Sequence, residues 1–291
     1  MTDSEALITR SISAGLTALL EAKSRAIDSE CARFLAIGDA EALHDLRVAM
    51  RRMHSLFTCF TPCFSNETTL PKRLRAALKS TNGARDLEVM LALLEKLQLE
   101  LPWLQQQWQK QLEEEYQRLR EQLPPAWQAL SAELKAPSEL FVSSLPEETL
   151  GAYAAGLVAE EKKKLLRRSK LLGKKWDEQR AHKLRIHGKR VRYLLEPFVA
   201  ESEHAATAVN QIKQFQDLLG DYHDIVVLRQ KLRTLCRTDT IPNTEQLVRA
   251  RRCLKKNLRQ LRKTFLREYR GKKGKHFHDT LRAAQKSLAQ N

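Results

Sequence analysis

Apolar positions along this 291-residue chain recur every three or four residues almost without interruption, which is the spacing of helices that bury one face. The rhythm breaks at 38–39, 62–66, 82–83, Pro102, 124–125 and through a looser stretch to Pro146, where Gly, Pro, Asn and Asp end or cap helices. This punctuation predicts about four helices in each half. In the second half they are expected over 147–172, 177–197, 201–219, 221–236 and 243–269, with a frayed basic tail beyond Gly271. The proline-containing segment 123–146 reads as the connector, dividing the chain into units of 1–137 and 138–291.

The two units carry one pattern, His-x-x-Arg-x-x-x-(Lys or Arg)-Arg, 138 residues apart. His44 meets His182, Arg47 meets Arg185, Arg51 meets Lys189, Arg52 meets Arg190 and Phe60 meets Phe198. In the same register Asp86 meets Asp224, Leu87 meets Ile225, Met90 meets Leu228 and Leu94 meets Leu232. Two separated segments sharing one offset imply an internal duplication. The fold class expected is therefore all-α, two pseudo-symmetric four-helix bundles.

Placed on a helix at 100° per residue, His44, Arg47, Arg51 and His54 fall within about 80° of one another, opposite Leu46, Met50, Met53 and Phe57. In the second copy His182, Arg185, Lys189 and Arg192 form the stripe, and Leu184, Val191 and Leu195 form the opposite side. Ordinary exposed helix faces mix signs to gain i,i+4 pairs. Stripes this cationic predict an anionic ligand, or else carboxylates supplied by another helix such as the one bearing Asp86 or Asp224. Lys72, Arg75 and Lys79 make a third stripe, of which the second copy keeps only Lys213. Further cations at Lys163, Arg167 and Lys170, and at Arg252, Lys256, Arg259 and Lys263, suit either ligand contact or solvent.

Composition sharpens the anion reading. Net charge is +16, and residues 1–150 hold 17 Lys+Arg against 21 Asp+Glu, so the remainder carries a net +20. Such a field concentrates anionic partners: nucleic acid, anionic lipid or phosphate polymers. The five cysteines (Cys31, Cys59, Cys63, Cys236 and Cys253) contain no C-x-x-C and suit a reducing cytoplasm better than a disulfide framework. The N-terminus lacks the basic-then-apolar pattern of a signal peptide, and no apolar run approaches the ~20 residues of a membrane span.

The doubled motif helix, followed by Arg85-Asp86-Leu87-Glu88-Val89 in one half and by Leu219-Gly220-Asp221-Tyr222-His223-Asp224 in the other, resembles the CHAD family, named for conserved histidines in an α-helical domain. The resemblance covers roughly residues 5–270. It implies two bundles facing each other around a basic groove that binds inorganic polyphosphate, without catalysis and without a cofactor. It also implies cytoplasmic residence, with polyphosphate granules as one setting. Carried over, it points to His44, Arg47, Arg51 and Arg52 and to His182, Arg185, Lys189 and Arg190 as groove residues. Asn82 stands where the second copy has Gly220, in a turn that Asn tolerates. The E-x-E-x-K pattern and β-barrel of the triphosphate-tunnel domain often fused to this family are not legible, so a stand-alone binding module is expected.

Two other functions compete. His44-Asp45 and His223-Asp224 are dipeptides that metal-dependent helical phosphohydrolases use as ligands, yet their counterparts are His182-Lys183 and Arg85-Asp86, which break each ligand set with a cation. No metal or catalytic residue is therefore expected. Nucleic acid shares the electrostatics, but single-strand binders interleave aromatics with cations. Here Trp103, Trp108, Trp127 and Trp176 lie outside the stripes, and only Tyr193 adjoins one.

Overall fold

In a computed structural model describing residues 5–134, 137–235 and 244–290, the protein is all-α. The first half comprises α1 (Ile12–Ile37), α2 (Ala40–Cys59), α3 (Leu70–Ser80), α4 (Asn82–Lys96) and α5 (Pro102–Glu133). The second comprises α6 (Leu150–Lys174), α7 (Glu178–Leu195), α8 (Glu203–Leu235), α9 (Thr244–Glu268) and α10 (Gly271–Ala289). Among the described residues each half thus holds five α-helices rather than four.

The helix starts are set by side chains. Ser11, Asp39, Thr149 and Asp177 each accept a hydrogen bond from a backbone N–H in the first turn of α1, α2, α6 and α7, satisfying a donor that has no partner within the helix. These caps keep the 138-residue spacing, Ser11 with Thr149 and Asp39 with Asp177. The motif-paired apolar residues share a fate too, since Leu46 and Leu184, Phe60 and Phe198, and Leu94 and Leu232 are all buried in one continuous core.

Two expected breaks and one expected frayed tail are absent, each through packing. Pro124 and Pro125 lie inside α5, although an interior proline forfeits a backbone bond at a cost of about 3 kcal/mol. Leu119, Leu123, Trp127 and Leu130 are buried around them, and the Trp127 indole donates to Asp28 at 2.6 Å. Burial at about 1.5–3 kcal/mol per large side chain outweighs the lost bonds. Gly220 does not turn the chain but sits within α8, where Phe215, Leu219, Tyr222 and Ile225 are buried on both sides of it. The first half does break at the equivalent place. There Thr81 donates its hydroxyl proton to the Leu78 carbonyl and α4 restarts at Asn82. The basic tail expected to fray is α10, whose Phe277, Leu281, Ala284 and Leu288 pack against α6 and α8. Cys236 and the expected helix start at Asn243 lie outside the described residues.

The halves join where α2 packs along α7, α4 against α8 and α1 against α6. The N-terminal strap adds two ties. Glu201 accepts from the backbone N–H groups of Leu7 and Ile8 at 2.7 and 2.8 Å, and the Leu150 and Gly151 amides donate to Arg10 and Ile8. No described helix is long and apolar enough to cross a membrane.

Candidate anion-binding cleft

Between α2 and α7, floored by α8 and flanked by α1 and α4, runs a cleft of about 970 Å³. Eight of its lining residues are Lys or Arg (Lys23, Arg51, Arg52, Arg85, Arg185, Lys189, Arg192 and Lys213), against five Asp or Glu. Two of those acids are held by cations outside the cleft, Asp45 by Arg33 at 2.6 Å and Asp221 by Lys96 at 3.1 Å, while Glu196 takes two of the cleft's own, Arg192 at 3.0 Å and Arg52 at 3.6 Å. The cleft therefore keeps a cationic excess. Among the described residues no three His, Cys, Asp or Glu side chains gather as a metal would need.

The structure brings His44, Arg51, Arg52, Arg185, Lys189 and Lys213 together on its walls. The others lie elsewhere. Arg47 is only 6% exposed, and its guanidinium donates to the Leu78 carbonyl at 3.2 Å, to the Asn82 amide oxygen at 3.0 Å and to the Thr81 hydroxyl. It braces α2 to the α3–α4 junction instead of lining the cleft. Burial first, then Arg51 and Arg85, lowers its pKa to about 10. Arg190 is turned toward α6, 3.6 Å from Glu161. His182 is exposed at the N-terminal end of α7, its ring centroid 5.1 Å from that of His223. Lys72, Arg75 and Lys79 are exposed on α3 and outside the cleft lining.

Helix rotation explains the sorting. On α2 the cleft is faced by His44, Asp45, Val48, Arg51, Arg52 and Leu56, an arc centred some 90° around the helix from the stripe that includes Arg47 and His54. Those two turn instead toward α3, where Arg75, after burial, depresses the His54 pKa. On α7 the cleft arc of Arg185, Lys189, Arg192 and Tyr193 coincides with the cationic stripe. The cationic stripe of the second copy thus faces the cleft, whereas that of the first copy is split between the cleft and α3.

Lys23, Arg85, Arg192 and Gln216 belong to the cleft although they were not among the expected site residues. Arg192 was visible in the α7 stripe, and Arg85 as the counterpart of His223. Lys23 carries no sequence signal, being one lysine among the polar positions of α1.

Electrostatically the cleft is under-compensated. The Arg185 Nε and Gln216 Nε2 are buried donors with no acceptor among the described residues, although such donors are nearly always satisfied. Burial lowers the Arg185 pKa, with Asp224 opposing and Arg51 adding to the shift. Lys189, half-buried, has its pKa pushed down to about 7 by desolvation and then by Arg185, Arg51 and Arg192, with Asp224 opposing. Burial also raises Asp224. His44 is lowered by burial and Arg85, His182 by burial and Arg185, and His223 by burial and Arg185. All three imidazoles therefore charge in more acid solution than an ordinary histidine.

A helical protein whose motif helices enclose a cationic interhelical cleft is the class that fold and site define. The family model of the CHAD domain matches residues 18–233, and the chain belongs to that family. Among solved structures it is similar to the CHAD domain from the plant Ricinus communis, with a TM-score of 0.66 and 22% identity over 96% of this chain and 93% of that one. It is also similar to PptA from Streptomyces chartreusis, with a TM-score of 0.58 and 16% identity over 97% and 100% of the two chains. At these identities the likeness is one of fold. Comparison with curated proteins gives no significant match.

Proposed function

We propose that the protein is a non-catalytic binder of inorganic polyphosphate, held in the cleft between α2 and α7. The observation that carries this reading is the pair of buried donors without acceptors, Arg185 Nε and Gln216 Nε2, inside a cleft with excess cation. A chain of closely spaced phosphates supplies acceptors and negative charge together. Guanidiniums take its oxygens in bidentate fashion, and Lys23, Lys189 and Lys213 act as point charges. Membership of the CHAD family supports the same ligand class, and α9 and α10 lie outside the matched segment.

Two features weigh against the rivals. Among the described residues Tyr193 is the one Phe, Tyr or Trp lining the cleft, and its ring carries Arg192 at 4.9 Å, which leaves little platform for base stacking. Asp45 of the His44-Asp45 dipeptide is engaged by Arg33, so that carboxylate is not free for a hydrolytic metal. We place the protein in the cytoplasm, where polyphosphate granules would present the ligand. The test is competition of long-chain polyphosphate against single-stranded RNA and duplex DNA at physiological salt. Polyphosphate should displace both at equal charge, and preference for nucleic acid would overturn the reading.

A further inference from the structure

The cleft places one primary amine where three guanidiniums converge. On α7, Arg185 and Arg192 stand one turn either side of Lys189, within about 60° of it around the helix. Arg51 lines the same cleft from α2, across the contact between the motif helices, and its charge acts on Lys189. On α8, Asp224 faces it, and His223 lies near enough to feel its charge, as does His182 on α7. On the α6 side, Glu161 is held by His187 at 2.7 Å and Lys164 at 2.8 Å. His187 projects about 160° around α7 from Lys189, so that carboxylate offers no relief. Lys189 is thus half-buried among three permanent cations; Arg192 is paired with Glu196 of the following turn at 3.0 Å, and the Asp224 carboxylate that opposes them is shared with Arg185.

We propose that Lys189, set among the guanidiniums of Arg51, Arg185 and Arg192 in the cleft, couples capture of the polyanion to proton uptake: its amine gains a proton as phosphate oxygens arrive beside it. An arginine at this position would hold its charge at any physiological pH, and the first copy of the motif does have Arg51 there. The lysine makes the affinity of the second wall depend on pH, and makes binding a sink for protons. The inference rests on the proposed function, because it requires the cleft to be the polyanion site.

The magnitude follows from linkage. With a pKa of about 7 in the free protein, Lys189 is about nine-tenths neutral at pH 8, so full protonation in the complex takes up about 0.9 proton there. Between pH 7 and pH 9 the affinity falls about 50-fold from this group alone. Near the cleft, His44, His182 and His223 have their pKa values lowered, away from that range. Lys23 also lines the cleft with a pKa lowered by burial and then by Arg52, so the informative comparison is between wild type and Lys189→Arg.

Calorimetric titration of wild type and Lys189→Arg with long-chain polyphosphate, at pH 8 in buffers of different ionisation enthalpy, counts the protons. The expected result is an uptake lower by about 0.9 in the variant, with its binding at pH 9 stronger than that of wild type. Equal proton uptake in the two proteins overturns the inference while leaving the binding reading intact, whereas failure of wild type to bind removes both. A 13C-lysine NMR titration of the ligand-free wild type needs no variant. One lysine should titrate near pH 7 and lose that titration when polyphosphate is added, and the absence of any lysine titrating below pH 9 overturns the inference.

Discussion

Arg47 and Arg185 hold equivalent places in the two copies of the motif, yet the structure predicts opposite consequences for removing them. Arg47→Ala deletes three hydrogen bonds from a buried cation to the α3–α4 junction. At about 1.5–3 kcal/mol per charged bond, less the several kcal/mol spent on burying the guanidinium, the net loss is about 2–4 kcal/mol. For a chain of this size that lowers Tm by about 3–7 °C. Arg185→Ala removes a cation whose Nε has no acceptor and which repels Arg51 and Lys189, so its Tm should stay within about 2 °C of wild type. Affinity for polyphosphate should respond the other way, falling at least tenfold in Arg185→Ala and little in Arg47→Ala below its melting point. Thermal melts followed by circular dichroism, paired with polyphosphate titrations at 20 °C, measure both. An Arg47→Ala protein that melts like wild type but no longer binds would refute the division of labour.

Two further outcomes follow from the same contacts. Asp224→Asn removes the carboxylate that faces Arg185 and Lys189 and opposes an incoming anion, and should raise polyphosphate affinity about three- to tenfold by calorimetry. Glu161 accepts from His187 and Lys164, and although burial pushes its carboxyl upward, those partners hold it below the ordinary value. A depressed folded-state pKa gives stability that is present above the unfolded pKa and lost as pH falls through the folded one. Glu161→Gln should therefore cost about 1–3 kcal/mol in urea unfolding at pH 7, with the difference from wild type closing as pH drops below about 4.

Much of the helical framework was legible because its determinants are local. Capping residues at Asp39 and Asp177 fixed two helix starts, and the 138-residue register picked out the motif helices that flank the cleft. What was not legible depended on partners distant in sequence. The prolines of α5 and Gly220 of α8 are overridden by burial on both sides, which no local signal reports. In α10 the apolar stripe is diluted by Lys and Arg until it reads as a tail. The rotation of α2 is decided by α3, α4 and α7 together, so periodicity alone assigned Arg47 to the ligand face and passed over Lys23, which comes from another helix altogether. The acids on α8 were foreseen only as an alternative source of compensation, and Asp224 does face Arg185 there. Compensation is nevertheless partial, as the unpaired Arg185 Nε records.

The most direct measurement of cleft function is a titration of long-chain polyphosphate into the triple variant Arg51→Ala/Arg185→Ala/Lys189→Ala, beside a control that loses Lys72, Arg75 and Lys79 from α3. Both variants remove three cations, but only the first removes them from the cleft. The cleft variant should lose at least a hundredfold in affinity at physiological salt while keeping its helical circular dichroism, and the α3 control should change less than about threefold. Retained affinity in the cleft variant, or an equal loss in the control, would contradict the cleft as the site of polyphosphate binding.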